Sequence, residues 1–166
     1  GEKVVFIDNS TTSYGRILKW EWKFGDGNIS KGEIEGLLLK EGDYIESKIK
    51  LNESFSIEMW IKPNFSYDDG NLHRIFYWGS KNAYITCYKH SNGRIYFVVK
   101  TTKWSAVYST IKFNADEWHH LVCMYNGRNG EFYLYWDGNV KEIKKGGEAF
   151  NGGEGTFRIG WKTNGY

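Results

Sequence analysis

The stretch HHLVCMYNGRNGEFYLYWDGNVKEIK, residues 119–144, decides the fold. Three short runs in it show the alternation of half-buried strands: 119–125, 131–136 and 139–144. Gly-Arg-Asn-Gly at 127–130 and Asp137-Gly138 separate these runs, and both have the composition of tight turns. The stretch therefore predicts an antiparallel meander of three strands.

The same period of two recurs along the rest of the chain. Further predicted strands cover 17–24, 55–61, 84–90, 94–100 and 156–161. The strands 84–90 and 94–100 flank Ser91-Asn92-Gly93, whose composition predicts a hairpin turn. Because the linking segments are too short for helical crossovers, the sequence predicts an all-β protein with antiparallel sheets, either a sandwich or a barrel. The alternation also predicts that five tryptophans face the core: Trp20, Trp22, Trp60, Trp118 and Trp136.

Several motifs occur in the order and spacing of one fold family. They are 42–46 (Gly-Asp-Tyr-Ile-Glu), 55–63, 118–122, 132–138 and 157–160 (Phe-Arg-Ile-Gly). On these motifs, residues 36–166 resemble a laminin G-like, concanavalin A-like jelly-roll domain. The resemblance implies two packed antiparallel sheets, with ligand sites in rim loops or on the concave face. It also implies glycan or protein binding outside the cell, in some members with calcium.

The N-terminal segment shows a second resemblance. The runs 5–10 and 17–22, and above all Trp22-Lys23-Phe24-Gly25-Asp26-Gly27, resemble the first half of a polycystic-kidney-disease-type, immunoglobulin-like domain. We therefore expect residues 1–35 to form a partial β segment, with the resemblance covering about 4–30. Because about 30 residues cannot bury a core of their own, these strands must pack on something else, and a hairpin-like extension of the jelly roll is predicted.

The C-terminal end departs from the jelly-roll family, which usually has a closing strand after the segment 157–160. A sandwich without that strand leaves unpaired backbone groups along one sheet edge. Three explanations stay open: the N-terminal strands cover the edge, a neighbouring copy donates a strand, or the chain is truncated.

Composition excludes some function classes and leaves others. Lys and Arg number 22 against 20 Asp and Glu, so no strong positive field points to nucleic acid. The longest aliphatic run is Leu37-Leu38-Leu39, too short to span a membrane. Cys87 and Cys123 are interpreted either as two small buried side chains or as one disulfide between strands.

No catalytic constellation is evident in the sequence. Glycosidases on this fold need two carboxylates on one strand face, whereas Glu33 and Glu35 lie in a polar junction and Asp116-Glu117 are adjacent. His119 and His120 are also adjacent, so their rings point to opposite faces and cannot share an ion. For His120 we expect a hydrogen-bonded structural role. We therefore expect a protein that is not an enzyme.

Aromatic and acidic loop residues are the candidates for binding. Trp78, Trp104, Trp161 and Tyr67 are proposed ligand contacts, because aromatic faces stack on sugar rings. The loop 67–71 contains Asp68, Asp69 and Asn71, whose oxygens could bind Ca²⁺, although an ordinary Asp-Gly turn explains the same residues. No other cofactor is expected.

Glycosylation triplets indicate an extracellular chain. Four asparagines stand in acceptor sequences: Asn9, Asn28, Asn52 and Asn64. The sequence thus predicts an extracellular or cell-surface recognition module that binds a glycan or a protein. The alternatives are a subunit of a surface filament or layer built by strand exchange between copies, and, more weakly, a glycoside-hydrolase relative.

Overall fold

A computed structural model describes residues 43–160, Leu39 and, as backbone only, the strands 19–23 and 29–33. The chain divides into two compact units, 1–40 and 41–166. In the first unit, β1 (Lys19–Lys23) pairs antiparallel with β2 (Ile29–Glu33). The resemblance at 4–30 lies largely outside the described residues and stays a prediction, as does the inward placement of the Trp20 and Trp22 side chains.

The second unit contains two antiparallel sheets. Its strands are β3 (Ile45–Leu51), β4 (Ser54–Ile61), β5 (His73–Gly79), β6 (Tyr84–Lys89), β7 (Arg94–Lys100), β8 (Trp104–Thr110), β9 (His119–Asn126), β10 (Glu131–Trp136), β11 (Asn139–Lys144) and β12 (Gly153–Ile159). The smaller sheet has the order β11-β10-β9-β4, and the larger has the order β3-β12-β5-β6-β7-β8. This arrangement confirms the predicted all-β jelly-roll sandwich.

The turns follow from residues that accept a left-handed backbone. Asp137 and Gly138 have φ values of 51° and 73°, which is the hairpin geometry expected for Asp-Gly between β10 and β11. Gly93 has φ of 77° and closes the β6–β7 hairpin. Across the described ranges the chain contains no helix, and so none long and apolar enough to cross a membrane.

The core fills the space between the two sheets with aromatic and branched side chains. Trp78 and Phe76 of β5, Phe97 of β7 and Phe132 of β10 are completely buried. Gly155 leaves room for the largest of them, because a Cβ at that position would overlap the Trp78 ring. Trp136 is only 3% exposed, which confirms its predicted inward position.

Two other tryptophans predicted to be buried are exposed instead. Trp60 is 60% exposed and Trp118 is 47% exposed. For Trp60 the reason is that β4 carries apolar residues on both faces, and the face with Phe55, Ile57 and Met59 packs into the core. Trp60 therefore shares the outer face with Ser56 and Glu58. Trp118 lies before the first residue of β9, so the alternation of that strand does not fix its orientation.

Candidate functional site

The outer face of the six-stranded sheet carries a row of three tyrosines. In register across the hairpins, Tyr88 of β6 lies opposite Tyr96 of β7, which lies opposite Tyr108 of β8. The first two rings are stacked at 5.2 Å between centroids with an angle of 5°, and the next pair lies at 4.9 Å and 32°. We call Tyr88, Tyr96 and Tyr108 the tyrosine row.

Polar groups surround the tyrosine row. The Arg94 guanidinium lies 5.1 Å from the ring centroid of Tyr108, a cation–π geometry. The Asn92 side-chain amide donates a hydrogen bond to the Tyr96 hydroxyl at 3.4 Å. Burial, followed by the nearby Tyr96 hydroxyl, raises the pKa of Tyr88. Like an ordinary tyrosine, Tyr88 is neutral at physiological pH, so its hydroxyl can both donate and accept a hydrogen bond.

Trp104 lies on the same outer face as the tyrosine row. It opens β8 and is 52% exposed, while Tyr108, four residues later, is 42% exposed. Residues separated by four along a strand share a face and lie about 13 Å apart. Lys100 lies opposite Trp104, and Tyr84 lies opposite Lys100, so a second aromatic and cationic line crosses the sheet here. We call the tyrosine row together with Trp104 and Arg94 the aromatic face.

A carboxylate fixes the turn that precedes Trp104. Glu148, in the loop between β11 and β12, accepts hydrogen bonds from the hydroxyls of Thr101 and Thr102 and, at 2.8 Å, from the Lys103 amide. Because these donors favour the ionised form, the pKa of Glu148 falls from its ordinary 4.5 to about 2. This contact holds the β7–β8 turn in one conformation.

We predict that Glu148→Gln lowers the melting temperature at neutral pH. The folded pKa lies below the unfolded one, so the ionised carboxylate stabilises the fold above pH 4.5. That contribution declines as the pH falls from 4.5 to about 2. Thermal melts of both proteins across this range should therefore converge at the acid end. A difference between the two proteins that stays constant with pH would contradict the assignment.

The four aromatic residues predicted to bind a ligand have different positions in the structure. Trp104 is exposed as expected. Trp78 is completely buried and packs against Phe150 at 5.7 Å, so neither face of its ring is open to a ligand. Tyr67 is half-buried and packs against the core. Trp161 lies outside the described residues, and its role stays a prediction.

The oxygens of the predicted calcium loop are engaged with side chains of the protein itself. Asp69 forms an ion pair with the completely buried Lys89 and a hydrogen bond with His73, whose pKa is lowered by burial. Asp68 accepts a hydrogen bond from Ser66 at 2.9 Å. Within the described part of the chain, no three His, Cys, Asp or Glu side chains form a group that could hold a metal ion. The Lys89 ammonium thus takes the place beside Asp69 that a cation would need, and this arrangement does not favour calcium.

The remaining predicted positions divide between core and surface. Cys87 and Cys123 are both completely buried and both are free thiols. Asn52 and Asn64 are exposed, so a glycosylating enzyme could reach the side-chain amides of both. Asn9 and Asn28 lie outside the described residues.

A second aromatic cluster lies on the outer face of the four-stranded sheet. The exposed Trp60 stacks on His120, with 5.0 Å between ring centroids. His120 in turn forms a hydrogen bond with Glu58 at 2.9 Å. The prediction that His120 is a hydrogen-bonded structural histidine agrees with these contacts, whereas the exposure of its tryptophan partner was not expected.

The tyrosine row was not predicted from the sequence, although a signal for it was present. The hairpin turn at 91–93 was recognised, and equal counting outward from that turn pairs Tyr88 with Tyr96. Tyr108 required the next strand, and the segment 104–110 was not recognised as one because its alternation is weak.

Comparison with known proteins identifies the fold family. A family model, laminin G 3, described as the concanavalin A-like lectin/glucanases superfamily, matches residues 39–166. A search of curated proteins found no significant match.

Two solved structures are similar to the chain. A native heptameric SAP-like pentraxin from Limulus polyphemus has a TM-score of 0.56 at 16% identity, and the match covers 78% of this chain and 62% of the pentraxin. The mouse laminin alpha1 chain, domains LG4-5, has a TM-score of 0.61 at 14% identity, covering 76% of this chain and 34% of the laminin chain. The chain thus spans about 62% and 34% of these two structures. Its residues 39–166 belong to the concanavalin A-like lectin/glucanase superfamily.

Proposed function

We propose that this protein is a non-enzymatic recognition module that binds glycans on the aromatic face. The observation that carries the proposal is the row of three adjacent tyrosines, of which Tyr88 and Tyr96 are stacked, next to an exposed tryptophan. Flat aromatic rings offer apolar area to the C–H faces of a sugar, while phenol hydroxyls and a guanidinium offer hydrogen bonds to its polar edge. Membership in a superfamily that includes lectins supports this proposal.

The strands that form the aromatic face favour binding over hydrolysis. Glycosidases need a pair of carboxylates on either side of the scissile bond. The sequences of β6, β7 and β8 contain no Asp or Glu at all. A ligand stacked on these strands therefore meets rings, hydroxyls and cations, and no strand beneath it supplies an acid. Turnover of a polysaccharide, abolished by changing one carboxylate, would support a glycoside hydrolase instead.

We predict that Trp104→Ala and Tyr108→Ala each weaken binding of a hit from a glycan microarray by about tenfold. Each change removes one ring from the surface and leaves the core intact, because both side chains are about half exposed. Affinities measured by isothermal titration calorimetry, together with melting temperatures, check this expectation.

Trp60→Ala is the matched control, because it removes an equally exposed indole from the opposite sheet. It should leave the glycan affinity unchanged. If Trp60→Ala weakens binding and Trp104→Ala does not, the proposed face is wrong.

A second function, assembly through an open sheet edge, is favoured by the mismatch between the sheets. At one edge of the smaller sheet, β11 and its neighbour β10 pack against β8 of the larger sheet. The strand at the opposite edge is β4. Among the described strands none pairs with the second edge of β4, so that sheet is two strands shorter than its partner. Nearby inward side chains are only partly buried, namely Ile49, Met59, Ile61, Phe157 and Ile159.

A strand added beside β4 would pair its free backbone groups and cover these side chains. If another copy donates that strand, size-exclusion chromatography with light scattering should show oligomers whose population grows with concentration. A monomer at every concentration would exclude assembly by this route. We further propose an extracellular location, supported by the exposed acceptor sites at Asn52 and Asn64.

A further inference from the structure

The two cysteines of the chain face each other across the core. Cys87 belongs to β6 of the larger sheet and Cys123 to β9 of the smaller one. Both point inward, both are completely buried, and they belong to one hydrophobic cluster. Burial, followed by the nearby Cys87 thiol, raises the pKa of the Cys123 thiol, so the two side chains lie close enough to influence each other.

It is unusual for two side chains as short as Cys87 and Cys123 to approach each other from opposite sheets. The sheets of a sandwich lie about 10 Å apart, and the gap is normally filled by large residues. In register beside Cys87 are Phe76 and Phe97, and beside Cys123 are Ile57 and Leu134. Two small side chains that point from the two sheets into the same core leave room for their sulfur atoms to approach each other, whereas two branched side chains would not. A disulfide between opposed strands of two packed sheets requires this placement.

We infer that Cys87 and Cys123 form a disulfide that joins the two sheets when the protein folds under oxidising conditions. One thiolate attacks a sulfur of an oxidised disulfide donor, such as oxidised glutathione, and releases one donor thiol. The second thiolate then displaces the other donor thiol from the mixed disulfide. The cysteine pair loses two protons and two electrons, and the donor disulfide is reduced to two thiols.

Burial determines when this exchange can occur. Exchange needs a thiolate that an oxidant can reach, whereas burial raises the pKa of the Cys123 thiol and both sulfurs are closed off from solvent. The folded, reduced protein should therefore react slowly, and the bond should form while the chain folds. Once formed, the disulfide is protected from reductants by the same burial.

The test is to refold the reduced, denatured full chain in a buffer of reduced and oxidised glutathione. We expect an intact mass lower by two hydrogen atoms, and no thiol that reacts with iodoacetamide in denaturant. A peptide map without reductant should contain one linked pair of peptides that carry Cys87 and Cys123. The melting temperature should fall when a strong reductant opens the bond in denaturant before refolding.

The control is the double variant Cys87→Ala, Cys123→Ala, whose melting temperature should not depend on the redox state. If that variant does not fold, the mass and the labelling of the natural chain still decide the question. Two alkylated thiols in a correctly folded product would overturn the inference. A disulfide found only between two chains would overturn it as well.

Discussion

Trp78→Ala should lower the free energy of unfolding by about 3–5 kcal/mol. The Trp78 side chain is completely buried, stacks edge-on against Phe150 and donates an indole hydrogen bond to the Ile49 carbonyl at 3.3 Å. Truncation leaves a large cavity between the sheets, and the flat surface at Gly155 has no side chain that could fill it. Chemical denaturation monitored by circular dichroism measures the loss.

Trp60→Ala is the informative companion variant. Trp60 is 60% exposed and touches His120 by ring stacking, so its removal should cost about 1 kcal/mol or less. If the two substitutions destabilise the protein equally, the assignment of faces in β4 and β5 is incorrect.

Asp69→Ala should also lower the free energy of unfolding by about 3–5 kcal/mol. The Lys89 ammonium is completely buried, and Asp69 is the carboxylate with which it forms an ion pair. Burial lowers the pKa of Lys89, because removing an ammonium group from water disfavours its charged form. Without Asp69, the Asn71 carbonyl at 3.1 Å and the nearby Asp68 carboxylate remain as weaker partners for the buried positive charge.

A double variant distinguishes destabilisation by an unpaired buried ammonium from destabilisation by lost packing. In Asp69→Ala, Lys89→Met no charge is left in the interior, and a side chain of similar length still fills the space. This protein should therefore be more stable than Asp69→Ala alone. If the single and double variants have the same free energy of unfolding in urea, an unpaired buried ammonium is not the cause of the destabilisation.

Much of the fold follows from alternation and turn chemistry alone. The meander at 119–144 and the hairpin around 91–93 were predicted because each strand has a clear period and each turn has a residue suited to positive φ. Strands β2, β3, β5 and β8 were not predicted. In β5 a bulge between Arg74 and Phe76 interrupts the alternation, and β8 is rich in small polar residues.

The positions of individual tryptophans were less predictable than the strands that carry them. In the run Met59-Trp60-Ile61 both faces are apolar, so the period does not say which face is buried. The full length of β4 shows which face is buried, because Phe55 and Ile57 lie on the same face as Met59 and pack against the core with it. Trp78 next to Gly79 suggested an exposed turn, whereas Gly79 in fact makes room for the Tyr77 ring within the strand.

The functional surface depends on register between strands, which composition does not reveal. Twelve tyrosines are spread along the sequence, and three of them meet because two consecutive hairpins place them opposite one another. The acidic loop illustrates the opposite case. Its residue types suit calcium, but the positive charge beside Asp69 and the Asn71 carbonyl comes from Lys89. Lys89 lies eighteen residues beyond Asn71, on another strand, so the loop sequence alone does not reveal this contact.

Mapping a bound glycan by nuclear magnetic resonance tests the central claim most directly. When a glycan that binds on the microarray is titrated into labelled protein, the largest shift changes should occur at the Trp104 indole and at Tyr96 and Tyr108. Shift changes that cluster at Trp60 and His120, with the aromatic face unaffected, would contradict the account.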